Sequence, residues 1–316
     1  MQEVIKQAVE SVLTLILMGL LGFYLERKGM AGTRVKEFIP NLVIKAALPL
    51  YLFSTTVRDL KREVIPVILT NAGVAAISIV ATFLISLFVY KVFKVSKSRR
   101  GIFCVAFTFS NTMFIGMPIN LALFGDAALP NIIAYFFFNS FCFWTFGNYL
   151  MSLDVPGRPA AIFSRATLKR LFSPPLVGFF FGLLVIYFGL PMPKFLTQAA
   201  SSIGAMTTPL AIMYIGMGLA GLSWSFFKLE KDLVLMLVGR FLICPAVTVL
   251  ACMIFSLPTL TSQVFLIQSS LPVVASCSIL AGYYRSDTSY AVMVVSISTL
   301  LAIITVPLFR ILTSFI

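Results

Sequence analysis

Histidine is absent from this 316-residue chain, and with it the commonest metal ligand and proton shuttle. Charge is scarce as well. Only 11% of residues are charged, where a soluble domain carries about 25%. Acids are the rarer sign, 11 Asp and Glu against 24 Lys and Arg, and none falls in the middle of an apolar run; Glu10 comes nearest, close to one end. A sodium site or an acidic proton relay inside a membrane needs such a carboxylate. There is no CxxC and no GxSxG. Neither a metal site, a cofactor nor an acid–base or nucleophile constellation can be assembled, so an enzyme is not expected. The five cysteines, Cys104, Cys142, Cys244, Cys252 and Cys277, lie in apolar segments and read as small packing residues.

What is present is apolar: 59% of the chain is hydrophobic. This composition predicts an all-α integral membrane protein whose partner is the lipid bilayer. The net charge of +13 is not a nucleic-acid footprint, because the basic residues sit in short loops between apolar runs. Residues 12–25 resemble a signal peptide, but no small-residue cleavage site follows and Glu26, Arg27 and Lys28 close the run; a retained first helix is expected.

A span needs about 20 apolar residues. Ten candidates follow, at 7–26, 36–57, 64–90, 101–124, 129–151, 172–190, 195–220, 232–255, 261–282 and 287–314. The odd-numbered loops carry Arg27, Lys28, Arg34, Lys36, Lys91, Lys94, Lys97, Arg99, Arg100, Arg158, Arg165, Lys169, Arg170, Lys228, Lys231 and Arg285. The even loops and termini carry only Lys6, Arg58, Lys61, Arg62 and Lys194. Odd loops are therefore expected in the cytoplasm and both termini outside. Lys45, Arg240 and Arg310 remain within spans.

The two halves share an order of features at a shift near 160: Gly22 with Gly182, Gly29 with Gly189, Pro49-Leu50 with Pro209-Leu210, Asp126 with Asp287. The reading is a first five-helix repeat over 1–151, a linker over 152–171 and a second repeat over 172–316. Five spans per half make the repeats inverted, as in secondary transporters, where discontinuous helices form the site at mid-depth. The fourth span is interrupted at "SNTMFIGMPIN", residues 110–120, and the ninth at "QSSLPVVASCS", residues 268–278; at a shift of 162, Ser110 pairs with Pro272. A broken helix is tolerated in hydrocarbon only where it lines a cavity or is buried in protein. Two crossing breaks bring together half-helix N-termini suited to anions.

At these residues a family is recognisable. "SNTMFIGMP" resembles the helix-4 motif of the auxin efflux carrier family, which includes the PIN-type auxin exporters and bacterial organic-acid permeases. Asn111, Thr112, Gly116 and Pro118 match, with Ser110 in place of a first proline. "SSLPVVASCSILAGYY", residues 269–284, is similar to its helix 9, where Pro272 matches and Cys277 stands for a second proline. "IKAALPLYLF" resembles helix 2 and "SPPLVGFFFGLL" helix 6. The resemblance implies ten transmembrane helices in two inverted five-helix repeats, with broken, crossing helices 4 and 9, a fold shared with bile-acid/sodium symporters. Helices 1, 2, 6 and 7, over 7–57 and 172–220, would form a scaffold. Helices 3–5 and 8–10, over 64–151 and 232–314, would form a transport domain. It also implies carriage of small organic anions across the cell membrane by homodimers, one domain moving against the other. The long hydrophilic loop of many plant members is missing, with 152–171 in its place.

The substrate-binding candidates are Ser110, Asn111, Thr112, Pro118, Asn139, Gln268, Ser270, Pro272, Val273, Ser276 and Cys277; by the resemblance, Asn139 matches a glutamine that contributes to the substrate pocket of plant members. Lys45 and Arg240 are coupling candidates. Lys45 either snorkels to the surface or, as the resemblance implies, serves as a built-in cation in the scaffold; Arg240 reads as a cap on carbonyls or a partner across the bundle. Asp126 and Asp287 read as solvated loop acids, and the aromatic run 135–143 as packing or lipid-facing surface. The competing readings are an anion channel and a sodium-coupled symporter of the bile-acid type.

Overall fold

The structure is a computed structural model that describes residues 2–60, 62, 65–155, 162, 174–220 and 230–313. Most of the expected linker 152–171, with Arg158, Arg165, Lys169 and Arg170, lies outside these residues, as do Lys61 and Lys228. The described residues are helical, with one isolated β-bridge.

In chain order the helices are α1 (Gln2–Arg27), α2 (Thr33–Leu42), α3 (Leu48–Asp59), α4 (Ile65–Val92), α5 (Arg100–Thr108), α6 (Met117–Phe124), α7 (Leu129–Cys142) and α8 (Asn148–Ser152). They continue with α9 (Pro174–Phe188), α10 (Lys194–Gly204), α11 (Thr207–Ala220), α12 (Lys231–Val238), α13 (Cys244–Ile254), α14 (Thr259–Ser269), α15 (Ser276–Tyr284) and α16 (Thr288–Leu312). Among the described residues six stretches are long and apolar enough to cross a membrane: Glu37–Arg58, Ile68–Val92, Asp126–Ser152, Lys194–Gly218, Lys231–Ile254 and Thr288–Leu312. Pro174–Phe188 and Thr112–Phe124 are shorter apolar helices. The fourth and ninth expected spans are the broken ones, α5 with α6 and α14 with α15.

Proline explains much of the irregularity. Pi-helical turns at Val43–Ala47, Thr112–Gly116 and Gly239–Ile243 each end two residues before a proline, Pro49, Pro118 and Pro245. A proline lacks the N–H for the regular ladder and its ring crowds the carbonyl one turn earlier. A wider turn absorbs both problems without ending the helix. A fourth such turn, Phe143–Gly147, joins α7 to α8 without a proline.

Among the helix pairs that approach closely are α1 with α11 and α9 with α3. A Cβ on Gly22 would overlap the Met213 carbonyl, and one on Gly182 would press the Thr56 side chain at 2.8 Å. Lacking a hydrophobic drive between helices in lipid, such pairs gain by close backbone approach. The aromatic run is largely packing: Tyr135, Phe136 and Phe143 are buried, and Phe137, Phe138 and Phe141 half-buried.

The start of α5 is capped from the linker. Asp154 accepts from the Gly101 N–H at 2.8 Å and the Ile102 N–H at 3.3 Å, an acid at a positive helix end. Burial pushes its carboxyl up from 3.8 to about 6, against the opposing pull of those two N–H bonds.

Two outcomes follow. Gly22→Val should lower the melting temperature of the detergent-purified protein by about 5 °C or more, or prevent folding, while Gly73→Val, with open space around it, should not. For Asp154, the native state holds its proton to higher pH than the unfolded chain, so stability should fall as pH rises from about 4 to about 6 and level off above. Asp154→Asn should remove that slope; parallel melting profiles of variant and wild type over pH would refute it.

Candidate functional site

The two broken spans meet at their breaks and exchange backbone hydrogen bonds. Ser110 and Val273 form an antiparallel bridge, with the Asn111 N–H donating to the Pro272 carbonyl at 2.9 Å and the Val274 N–H to the Phe109 carbonyl at 3.0 Å. Ser110 and Pro272, the positions that a shift of 162 matches, both lie at this crossing.

The bridge is completed from both sides by side chains of other spans. Asn139 on α7 accepts from the Ser110 N–H at 3.2 Å, donates to the Ser110 carbonyl at 2.9 Å, and also reaches the Thr112 hydroxyl. Its amide behaves as a third strand. On the far side Ser298 of α16 accepts from the Val273 N–H at 3.1 Å. Ser298 was not among the residues expected to matter, since a lone serine in an apolar span looks like packing. One signal could have found it: it lies 159 positions after Asn139, close to the shift near 160 expected between the two halves.

The expected residues divide by use. Ser110, Asn111, Thr112, Asn139, Pro272 and Val273 are together at the bridge. The Ser270 hydroxyl turns back on the Ile267 carbonyl at the end of α14. Ser276 begins α15, half-buried, and Cys277 follows it, fully buried. Pro118 lies in the first turn of α6, just beyond its pi turn. Gln268 is fully buried with neither amide atom bonded among the described residues, and a Cβ on Gly116 would overlap its Oε1. Asn111 uses its backbone, while its side chain, 8% exposed, makes no hydrogen bond among the described residues.

The coupling candidates lie apart. Arg240 is fully buried in the pi turn Gly239–Ile243 and donates from Nη2 to the Ser269 carbonyl, the last of α14. Lys45 is exposed in the pi turn Val43–Ala47 and lines a groove of about 760 Å³ between α3, α9 and α10, which contains no residue of the two breaks. Arg310, near the end of α16, bonds the Thr313 hydroxyl and lies over the Phe124 ring.

A second cavity, about 400 Å³, runs between α1 and α11 on one side and α6 and α16 on the other. It is lined by Phe23, Ile115, Ile119, Ile215, Thr299 and Ile303 among others, reaches the pi turn that opens α6, and has Arg27 as its one charged lining residue.

Neither loop acid that follows a break is merely solvated. Asp126 accepts from the Tyr51 hydroxyl and from Arg58 Nη2 at 2.6 Å, tying α3 to the start of α7. Asp287 accepts from Arg99 Nε at 2.6 Å and from the Tyr290 N–H, capping α16; Arg99 also pairs with Glu230 and lies 4.7 Å from the Tyr290 ring.

A family model described as membrane transport protein matches residues 7–310. An uncharacterized transporter of Methanocaldococcus jannaschii is 22% identical over 305 residues, 95% of this chain and 97% of its own length. Another, of Methanothermobacter thermautotrophicus, is 25% identical over 319 residues, 96% of this chain and 98% of its own.

Asn139 offers a direct test of the bridge. Asn139→Ala leaves a buried N–H and carbonyl unanswered, at about 1–3 kcal/mol each, so the melting temperature should drop by several degrees. A variant that melts like wild type yet loses ligand would mean that the amide serves the ligand rather than the bridge.

Proposed function

The chain belongs to this family of membrane transport proteins, the auxin efflux carrier family that its helix-4 motif resembles, and from that membership we propose a secondary carrier of small organic anions working by elevator-type alternating access. The observation that carries the reading is the crossing of the two broken spans through the Ser110–Val273 bridge. In carriers, discontinuous helices of inverted repeats hold the substrate at mid-depth.

Several features support the finer parts of this reading. The contact of α1 with α11 through Gly22 has its counterpart in that of α9 with α3 through Gly182, which is what an inverted repeat with a shift of 160 requires. These four helices are the proposed scaffold. The helices joined to the crossing form the proposed transport domain, held internally by a buried cluster of Asn71, Asn131 and Thr261 and by the pairs of Arg99. The 400 Å³ cavity lies between the two groups, within the size range of ligand sites. The bonds from Tyr51 and Arg58 to Asp126 join the groups at one end, so an elevator stroke has to break them.

An anion fits the polar inventory. The half-helices that leave the crossing begin with free N–H groups and partial positive charge. Asn111 has amide donors to spare, and Arg27 stands on the cavity wall. The apolar lining suits a carboxylate with a hydrophobic body. The loop charges put both termini outside the cell membrane in this reading.

The test is transport in proteoliposomes across a panel of dicarboxylates, monocarboxylates and indole acids, followed by a comparison of the best acid with its uncharged amide at neutral pH. The acid should be taken up saturably and the amide should neither be carried nor compete. Asn111→Ala should weaken acid binding about tenfold, the loss of one hydrogen bond to a charged group, with the fold intact. Equal competition by the amide would end the anion reading.

A further inference from the structure

Four half-helix ends converge at the crossing, and their charges oppose one another. α5 and α14 arrive with their carbonyl ends; the pi turn before α6 and α15 depart with their amide ends. Partial charges of about half a unit of each sign oppose one another, so the amide ends favour an anion only where the carbonyl ends are answered by something else.

The helix behind the crossing breaks this balance. Arg240, fully buried, donates to the Ser269 carbonyl that ends α14. Four residues on, the Cys244 thiol donates to the Phe107 carbonyl, one residue before the end of α5, at 2.9 Å. The pi turn Gly239–Ile243 widens the helix so that residues four to five apart share a face, and the two donors then reach the two arriving ends from one wall. Arg240 makes no ion pair among the described residues, and its Nε and Nη1 have no hydrogen-bond partner. A guanidinium buried without a carboxylate is costly unless dipoles or an anion answer it. The carbonyl end of α14 answers it in part.

We propose that Arg240 is the resident cation of the crossing: it takes the carbonyl end where an inorganic coupling cation would otherwise bind, and leaves the two amide ends and its own residual positive field to select an anion. The anion half of this statement rests on the carrier reading; the cation half stands without it. Arg240 acts through the helix ends, so it is a positioning and specificity residue rather than a direct ligand. Lysine at the same place would keep the charge and lose part of the geometry, since a guanidinium presents a fixed fork and an ammonium does not.

The experiment uses the purified full chain and reads two quantities. The wild-type melting temperature should be the same in sodium chloride as in choline chloride. Arg240→Met, similar in length and neutral, should melt roughly 5–10 °C lower, with Arg240→Lys losing less than half as much. Low-millimolar guanidinium chloride, and not urea at the same concentration, should raise the melting temperature of Arg240→Ala towards wild type. Where a reconstituted variant folds, the acid-over-amide preference should survive in Arg240→Lys and fall at least several-fold in Arg240→Met. A wild type stabilised by sodium, a methionine variant as stable as wild type, or a lysine variant no better than the methionine variant would each overturn the proposal. Should neutral variants fail to fold, the sodium independence of the wild type still decides the cation half. A wild type with no acid preference would count against the carrier reading, while the stability comparisons would still judge Arg240.

Discussion

Inside hydrocarbon an unanswered backbone N–H or carbonyl costs several kcal/mol, and two spans of this chain stop being helical part-way along. Everything around the break follows from that constraint. The two interrupted segments answer each other through two backbone hydrogen bonds. Asn139 and Ser298 supply what the pairing leaves open. Ser269 and Ser270 fold their hydroxyls back on the last carbonyls of α14. α7 and α16 thus each lend a polar side chain to a junction that the two interrupted segments cannot complete alone.

Satisfying the backbone there leaves other polar groups without a partner. Gln268 is buried with its whole amide unbonded, and Asn111 keeps its side chain free of partners among the described residues. A membrane protein that only needed a kinked helix would have no use for these groups, since each buried unpaired polar atom lowers stability. The same reasoning separates the crossing from the groove beside Lys45, whose lining is otherwise apolar and uncharged.

Much of this could be read from the chain before any coordinates, and the limits have physical causes. The breaks at 110–120 and 268–278 were legible because polar residues, glycine and proline seldom crowd the middle of an apolar span unless the helix stops there. Which residues form the bridge was not legible, since a repeat shift locates a segment and not the partner of a given N–H. Proline positions were visible, but whether a proline kinks a helix or widens it into a pi turn depends on what packs beside it. Cys244 and Ser298 resemble ordinary small residues until their neighbours are known. Asp126 and Asp287 read as solvated acids because their partners, Tyr51, Arg58 and Arg99, lie 68 to 188 positions away in the chain. The glycine pairs at a shift of 160 were detectable; close approach to the neighbouring helix now explains Gly22 and Gly182, and a positive φ explains Gly29 and Gly189.

The bridge between Ser110 and Val273 also bears on biogenesis. Chains are made from the N-terminus, and the two strands of this bridge are separated by more than half of the protein. The fourth span therefore enters the bilayer with an interrupted backbone long before the ninth exists. Asn139 arrives only 29 residues later and can cover the N–H and carbonyl of Ser110 at once. The groups on Phe109 and Asn111 have no such early partner; they wait for Pro272 and Val274. The nascent first half is thus a half-closed seam, which a chaperone, a water file or a neighbouring chain has to shelter until synthesis of the second half seals it.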